Sequence, residues 1–547
     1  MKYLALFFML STLFSSCDTA NENSGKKIFR YNEPKSITSL DPAFARSISN
    51  IWVVNMLYNG LVQFDSNLVI KPSIASRWEI SEDGKTYHFW LRKDVFFHKD
   101  KGLNAGNARL VNAKDFVFSF NRIIDPKVAS PGSWVFANVD NSDGKGFQAP
   151  SDSELVIKLL KPFPPFLGIL AMPYCCVVPK EAVELYGNEF RSHPIGTGPF
   201  SFFIWKDGVK LVLHKHENYF EKDNSGNRLP YIDAVSVTFT NDAQSSFMAF
   251  LQGKTDFLNG LDDGSYKDAI LNRNGSLKAE LQKDIYLTRS DFLNTEYLGF
   301  LVSDTAKAAK GSPVLNKDFR QAINYAIDKK KMLRYIRNGV GIAGEAGLVP
   351  PSLISSLNSN YGYTYNTEKA KELLVKCGYK TKMGSPEVKL YITSQYADLC
   401  EFIQNQLEAV GINVKIEVNP PATHAELVTK AQAPFFRKSW VADYPDAENY
   451  LSLFYSKNLT PNGPNYTLYS SAKFDQLYKE SLLSNNDYGR GVLYREMDSL
   501  VMSEAPVVVL FYDESLRFIR KRVSGLGSNP MNLLDLKRVK LESEHLN

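Results

Sequence analysis

Helices and strands follow one another along this chain in the manner of an α/β protein, and three segments carry that expectation. Leu399, Phe402, Ile403 and Val410 share one helical face that stops at Gly411, after which Ile412, Val414, Ile416 and Val418 alternate as a strand. Helix, glycine, strand is an α/β unit. From Thr86 to His98, Tyr87, Phe89 and Leu91 alternate with His88, Trp90 and Arg92, the period of a half-buried strand, and Glu82-Asp83-Gly84 supplies the turn before it. Phe319, Ile323, Ala326 and Ile327 lie on one face of a helix with Asn316 or Asp318 as its N-cap, and Thr367–Lys376 reads as a further helix ending at Gly378.

A chain of 547 residues exceeds what one core organises, and at about 100–200 residues per domain it divides into roughly three to five. Hydrophobic residues make up 44% and charged residues 22%, a globular balance. The formal net charge of +5 comes without a long Lys/Arg block, which gives no case for a nucleic-acid partner.

Lys2, the apolar run Leu4–Leu10 and then Leu13-Phe14-Ser15-Ser16-Cys17 have the order of an export signal. The run is too short to cross a bilayer comfortably, and no second candidate follows. Leu-Phe-Ser-Ser-Cys resembles a bacterial lipobox, which implies a diacylated Cys17 as the first mature residue; an ordinary signal peptide cleaved nearby is the alternative. Residues 18–27 are then a polar tether. Of the remaining cysteines, Cys175, Cys176, Cys377 and Cys400, the last two have a disulfide open to them. The simpler reading places Cys377 with Ala370, Leu373 and Leu374 on a buried helical face.

Several motifs point to chemistry and lack its context. Gly339-Val340-Gly341-Ile342-Ala343-Gly344 matches a dinucleotide-binding pattern but follows a helical stretch, with no acidic residue about 20 positions on to hold a ribose. Gly196-Thr197-Gly198-Pro199-Phe200 reads as a turn. His214 and His216 face one way on a strand, where a solvated face outweighs a metal site. His216-Glu217-Asn218-Tyr219-Phe220 lacks the second histidine of a zinc peptidase, and no Gly-x-Ser-x-Gly or Walker A pattern occurs. No catalytic residue, metal site or cofactor is expected.

The stretch Trp440-Val441-Ala442-Asp443-Tyr444-Pro445-Asp446 sets two carboxylates among aromatic residues. By itself this is either a turn in which an Asp caps backbone N–H groups or an anchor for a cationic ligand, with Asp443 or Asp446 as the anchor.

An ordered series of short motifs decides between these readings. It runs Ser39-Leu40-Asp41-Pro42, Leu57-Tyr58-Asn59-Gly60-Leu61, Arg77-Trp78-Glu79-Ile80-Ser81, Ala113-Lys114-Asp115-Phe116-Val117-Phe118-Ser119, Gly196–Phe200, Leu229-Pro230-Tyr231-Ile232 and Arg320–Asp328. With the Trp440–Leu451 stretch, this order resembles the dipeptide- and oligopeptide-binding proteins that serve bacterial ABC importers. The resemblance implies a two-lobed α/β fold of the periplasmic-binding-protein type with an additional inserted domain. Residues 28–58, 196–295 and 513–547 would form the first lobe, 59–195 the insertion and 296–512 the second lobe. It further implies that Asp443 pairs with a peptide's α-ammonium, that Trp440, Ala442 and Tyr444 line the pocket, and that Arg437 meets the ligand's carboxylate. The implied protein is a carrier and not an enzyme, a lipid-anchored monomer on the periplasmic side of the cell envelope. Its partners would be short peptides with a free N-terminus and separate permease and ATPase subunits; relatives of the same fold take metal chelates, haem or oligosaccharides.

Overall fold

Two long strands, Ile285–Phe300 and Val507–Arg520, pair antiparallel in the middle of an eleven-stranded sheet. The computed structural model describes residues 25–542, apart from 102, 104–105, 261–266, 355–360, 380–386 and 485. Beyond Val507–Arg520 lie Phe257–Asn259, Ile28–Asn32, Ala234–Thr238, Lys210–Lys215 and Phe200–Lys206 in turn. Beyond Ile285–Phe300 lie Phe435–Val441, Val388–Ile392 and Val414–Val418. Ile28–Asn32 runs parallel to Ala234–Thr238, and Val388–Ile392 to Val414–Val418, each reached through intervening helices as an α/β fold requires.

The long pair changes register twice. Asp291 faces Glu514 and Thr295 faces Tyr512, after which Glu296 faces Phe511 and Tyr297 faces Val509. Extra residues first on one strand and then on the other bend and twist the ladder. The break divides the cores: Ile285 packs with Phe247, Phe250, Leu516 and Phe518, whereas Leu293 and Tyr297 belong to the cluster around Tyr450, Phe454 and Met497. The protein is therefore two-lobed, with the sheet shared through this crossing.

A separate four-stranded antiparallel sheet, Ala75–Ile80, Thr86–Leu91, Glu154–Lys158 and Phe147–Ser151, is backed by the helix Ala113–Ile124 through Phe116 and Phe120. Thr86–Leu91 alternates as expected but stops at Leu91 rather than His98. There the backbone leaves the ladder, with the Arg92 N–H donating to the Ile74 carbonyl at 2.9 Å. The Asn112 side chain accepts from the N–H groups of Lys114 and Asp115, and the Asp115 carboxylate returns a bond to the Asn112 N–H while pairing with Arg109 at 2.8 Å. Asn112→Ala is expected to cost about 1 kcal/mol of stability, read as a lower denaturant midpoint.

Other expectations meet particular outcomes. Asn316, not Asp318, caps the helix Lys317–Ala326. Ala397–Ala409 is a helix followed by Gly411 at φ 97° and the strand Val414–Val418. Thr367–Lys376 is helical, with Gly378 at φ 84° just beyond it. Cys377 packs against the cluster that holds Ala370, Leu373 and Leu374, but as the half-buried C-cap rather than a fully buried residue, with its thiol on the Leu374 carbonyl at 3.4 Å. Cys175, Cys176, Cys377 and Cys400 are all free thiols, so Cys377 and Cys400 are unpaired. Gly196–Phe200 is not a closed turn: it bends at Gly198-Pro199 and enters the strand Phe200–Lys206, packed so closely that a Cβ on Gly196 would lie 2.0 Å from the Leu57 carbonyl oxygen. Gly339–Gly344 leads from the helix Lys329–Ile336 into the short strand Ile342–Ala343. Among the described residues no helix is long and apolar enough to cross a membrane. Cys17 and the greater part of the expected tether lie outside the described residues.

Candidate functional site

Strand Phe435–Val441 pairs along Ile285–Phe300, with Trp440 opposite Thr295, so its last residues emerge beside the register break. The buried Ala442 donates its N–H to the Leu293 carbonyl at 2.8 Å and ties the following turn to that crossing. The chain then passes through Asp443–Ala447 into the short helix Glu448–Leu451. The buried Asn449 side-chain oxygen accepts from the Trp440 indole N–H at 2.9 Å and from the Asp443 backbone N–H at 3.2 Å. One amide thus clamps the aromatic before the turn and the acid within it.

The two acids differ in what surrounds them. Asp446 accepts from the Glu448 N–H at 2.9 Å and lies 3.4 Å from Arg490, which it shares with Asp487; burial raises its pKa too, and Arg490 opposes that rise. Asp443 is exposed; protein packed around the turn nonetheless raises its pKa by desolvation, opposed by a hydrogen bond with Asn449. Among the described residues no cation pairs with it. Its neighbour across the lobes is Tyr174, whose hydroxyl pKa is raised by burial and, secondarily, by the Asp443 charge.

Tyr444 does more than line a pocket. Its ring is 5% exposed and packs into the core of the first lobe and inserted sheet, near Gly168 and 6.4 Å from the ring of Trp134. Its hydroxyl donates to Glu448, which also accepts from Tyr478. Glu448 is buried, and that burial pushes its pKa up to about 7. A cavity of about 670 Å³ opens beside Tyr444, between Phe64, Tyr87 and Leu167 on one side and Asp446 and Arg490 on the other; Asp443 is not part of its lining.

Arg437 is placed differently from the expectation of a free carboxylate receptor. Its guanidinium pairs with the buried Glu296 and stacks 3.2 Å from the ring centroid of Tyr396. Asn294 links Glu296 to Asp513 with contacts of 3.3 Å, and Asp513 pairs with Arg337 at 2.7 Å. These charges form an internal cluster at the strand crossing, where Arg437 is held by protein. The histidines also separate. His214 stacks in the open on Phe203, whereas His216 is half-buried beyond the strand end, with Nδ1 3.1 Å from the Gly198 carbonyl and its ring edge-on to His98. Among the described residues no group of three or more potential ligands is placed to hold a metal.

Asn449, Glu296 and Tyr174 went unread in the sequence. Asn449 stands within the aromatic-acid stretch and shows itself there only as a polar residue in an otherwise buried helix turn; the other two carry no local signal.

Comparison with known proteins agrees with this architecture. Residues 69–462 match the sequence model of the bacterial extracellular solute-binding proteins, family 5 Middle. The haem-binding protein A of Haemophilus influenzae is 27% identical, over 94% of this chain and 92% of its own. The dipeptide-binding protein of Escherichia coli is 25% identical, over 89% of each. The structure of the ABC transporter-associated periplasmic binding protein DppA from Helicobacter pylori, in complex with the peptide STSA, superposes with a TM-score of 0.75. It is 25% identical and covers 94% of this chain and 98% of that one. With a shared crossing between two lobes, an acid-bearing turn at their junction and a family match over most of its length, this chain belongs to family 5 of the bacterial extracellular solute-binding proteins, the binding components of ABC importers.

Proposed function

We propose that this protein captures short peptides with a free N-terminus between its lobes and delivers them to a membrane permease powered by separate ATPase subunits. The observation that carries the reading is Asp443: an exposed carboxylate on the turn that Ala442 and Asn449 tie to the strand crossing, without a cationic partner among the described residues. A positive charge balances such a group, so an α-ammonium gains most where the turn already holds the carboxylate in place. Peptide main-chain groups supply further strand-like hydrogen bonds, and affinity then comes from features common to all peptides. Ligand contact with both lobes favours the closed form, which a permease can distinguish from the open one.

The same reading divides the chain into a first lobe (28–58, 196–295, 513–547), an insertion (59–195) and a second lobe (296–512), supported by the separate four-stranded sheet. It makes the protein a monomeric carrier without a cofactor, held on the periplasmic side by lipid on Cys17. A second reading, another cargo on this fold, is favoured by the haem-binding relative. Asp443 favours a cationic or amino-terminated cargo instead. Mass spectrometry after incubation with a peptide mixture decides: intact retained peptides support the carrier, and failure to retain any overturns it. For the anchor, Cys17→Ala is expected to move the protein from the membrane to the soluble fraction; persistence on the membrane refutes lipidation at that residue.

A further inference from the structure

Resting on the reading of Cys17 as the lipid anchor, we propose that the outermost hairpin of the large sheet, Phe200–Lys206 and Lys210–Lys215, lies on an anionic lipid surface, its apolar side chains entering the headgroup layer and its lysines meeting lipid phosphates.

This hairpin ends the eleven-stranded sheet, and its outer strand is paired on one side only. Leu211 and Leu213 point into the core and are fully buried. The alternate residues point the other way, and the register carries that face across both strands: Ser201 stands opposite His214, Ile204 opposite Val212 and Lys206 opposite Lys210. Phe203, set out by the register shift between Phe202 and Ile204, stacks on His214 with ring centroids 4.1 Å apart. Phe203 is 59% exposed, Ile204 50%, and Val209 in the connecting turn 51%. Large apolar side chains this open and this close together mark a contact surface.

Charge names the kind of partner. Lys206 and Lys210 face each other directly, an arrangement unfavourable to the hairpin by itself, and among the described residues no acid pairs with either. An anionic surface relieves that repulsion. Where the chain enters the fold says which surface it is. Ile28 stands opposite Ala234, and Ala234 opposite His214. Just before it, Lys27 accepts at its carbonyl from the Asp233 N–H at 2.9 Å and donates its own N–H to the Asp233 carboxylate at 2.7 Å. The exposed Lys26 and Lys27 therefore leave the fold beside His214. From Cys17 to Gly25 the chain reaches at most about 28 Å even when fully extended, so lipid on Cys17 holds a bilayer within that distance of the hairpin's open face. An acyl anchor and a basic, partly apolar patch are the two signals that together give stable attachment.

A further strand added at the sheet edge fits less well, because the extra residue at Phe203 interrupts the row of backbone groups that such a strand would need. The acid-bearing turn follows Phe435–Val441, toward the opposite end of the sheet, so a membrane beneath the hairpin leaves the peptide site open.

The test uses the full chain carrying Cys17→Ala, recovered from the soluble fraction and centrifuged with vesicles of phosphatidylcholine alone or with one-third phosphatidylglycerol. At low ionic strength it is expected to bind the anionic vesicles about tenfold more strongly, a difference that raised salt should abolish. Lys206→Gln/Lys210→Gln should cut that binding about fivefold or more, and Phe203→Ser/Ile204→Ser about threefold or more. All four side chains are exposed, so urea midpoints should stay at the wild-type value. Lys389→Gln/Lys415→Gln removes the same charge at the other end of the sheet and should leave binding unchanged. Equal binding to both vesicles, binding to neither, or equal losses from the two lysine pairs overturn the assignment of this surface. So does a dimer in vesicle-free solution that Phe203→Ser/Ile204→Ser dissociates. Those outcomes leave Cys17 as the anchor; Cys17→Ala protein that stays with cell membranes through a salt wash removes the anchor and this surface together.

Discussion

Asp443→Asn is expected to weaken a free-amine dipeptide by about 1–3 kcal/mol, roughly 5- to 150-fold, and to leave the N-acetylated peptide nearly unchanged. The asymmetry follows from the site. Neutralising the carboxylate removes the charge that balances the ammonium, and solvent at the exposed turn screens part of that loss. Asparagine keeps the size of the side chain and leaves the backbone N–H that Asn449 holds, so the turn itself should survive. Calorimetry on both peptides reads the outcome, and similar losses for the two would remove Asp443 from the ammonium site. A pH dependence accompanies it. Desolvation raises the pKa of Asp443 in the empty protein, and the ammonium binds only the ionised carboxylate. Affinity for free-amine peptides is therefore full above that raised pKa and declines as pH falls through it, a decline the N-acetylated peptide and the Asp443→Asn variant should lack.

Local patterns were legible in the sequence where packing obeys a short period. Thr86–Leu91 and Ala397–Ala409 were readable because their apolar residues repeat every two or every three to four positions. The aromatic-acid turn was readable through its resemblance to a family. The partners of its residues were not. Arg437 stands opposite Leu298 and meets Glu296, which stands opposite Ser439, a diagonal contact set by the register of two strands far apart in the chain. Tyr444 looked like a pocket wall because nothing near it in sequence reveals Gly168 and Trp134 as its seat. Tyr174, far from it in sequence, feels the Asp443 charge only through the fold. Periodicity reports which face of an element is buried; it does not report what lies on the other side of a cleft.

The seat of Tyr444 has a pH dependence of its own, and Glu448→Gln should expose it. In the folded protein burial pushes Glu448 up to about 7, against 4.5 for an ordinary glutamate. Between those values the folded state keeps a proton that the unfolded chain has released, so stability declines as pH rises through the window. A shift of this size corresponds to about 3 kcal/mol on the order-of-magnitude scale of linkage. Glutamine has no proton to lose, so its stability relative to wild type should improve by about that amount between pH 4 and pH 8. Asp498, also buried and pushed up to about 6, leaves a residual slope in both proteins. Urea midpoints across pH measure the difference, and parallel profiles would show that Glu448 does not titrate in this range. The functional consequence lies in the two hydroxyls. Ionised Glu448 accepts from Tyr444 and Tyr478 at once, and those bonds offset part of the cost of burying its charge. The fold thus carries a strained anion beneath the residue that joins second lobe to first, and the tyrosine pair is what keeps that anion tolerable when the proton leaves.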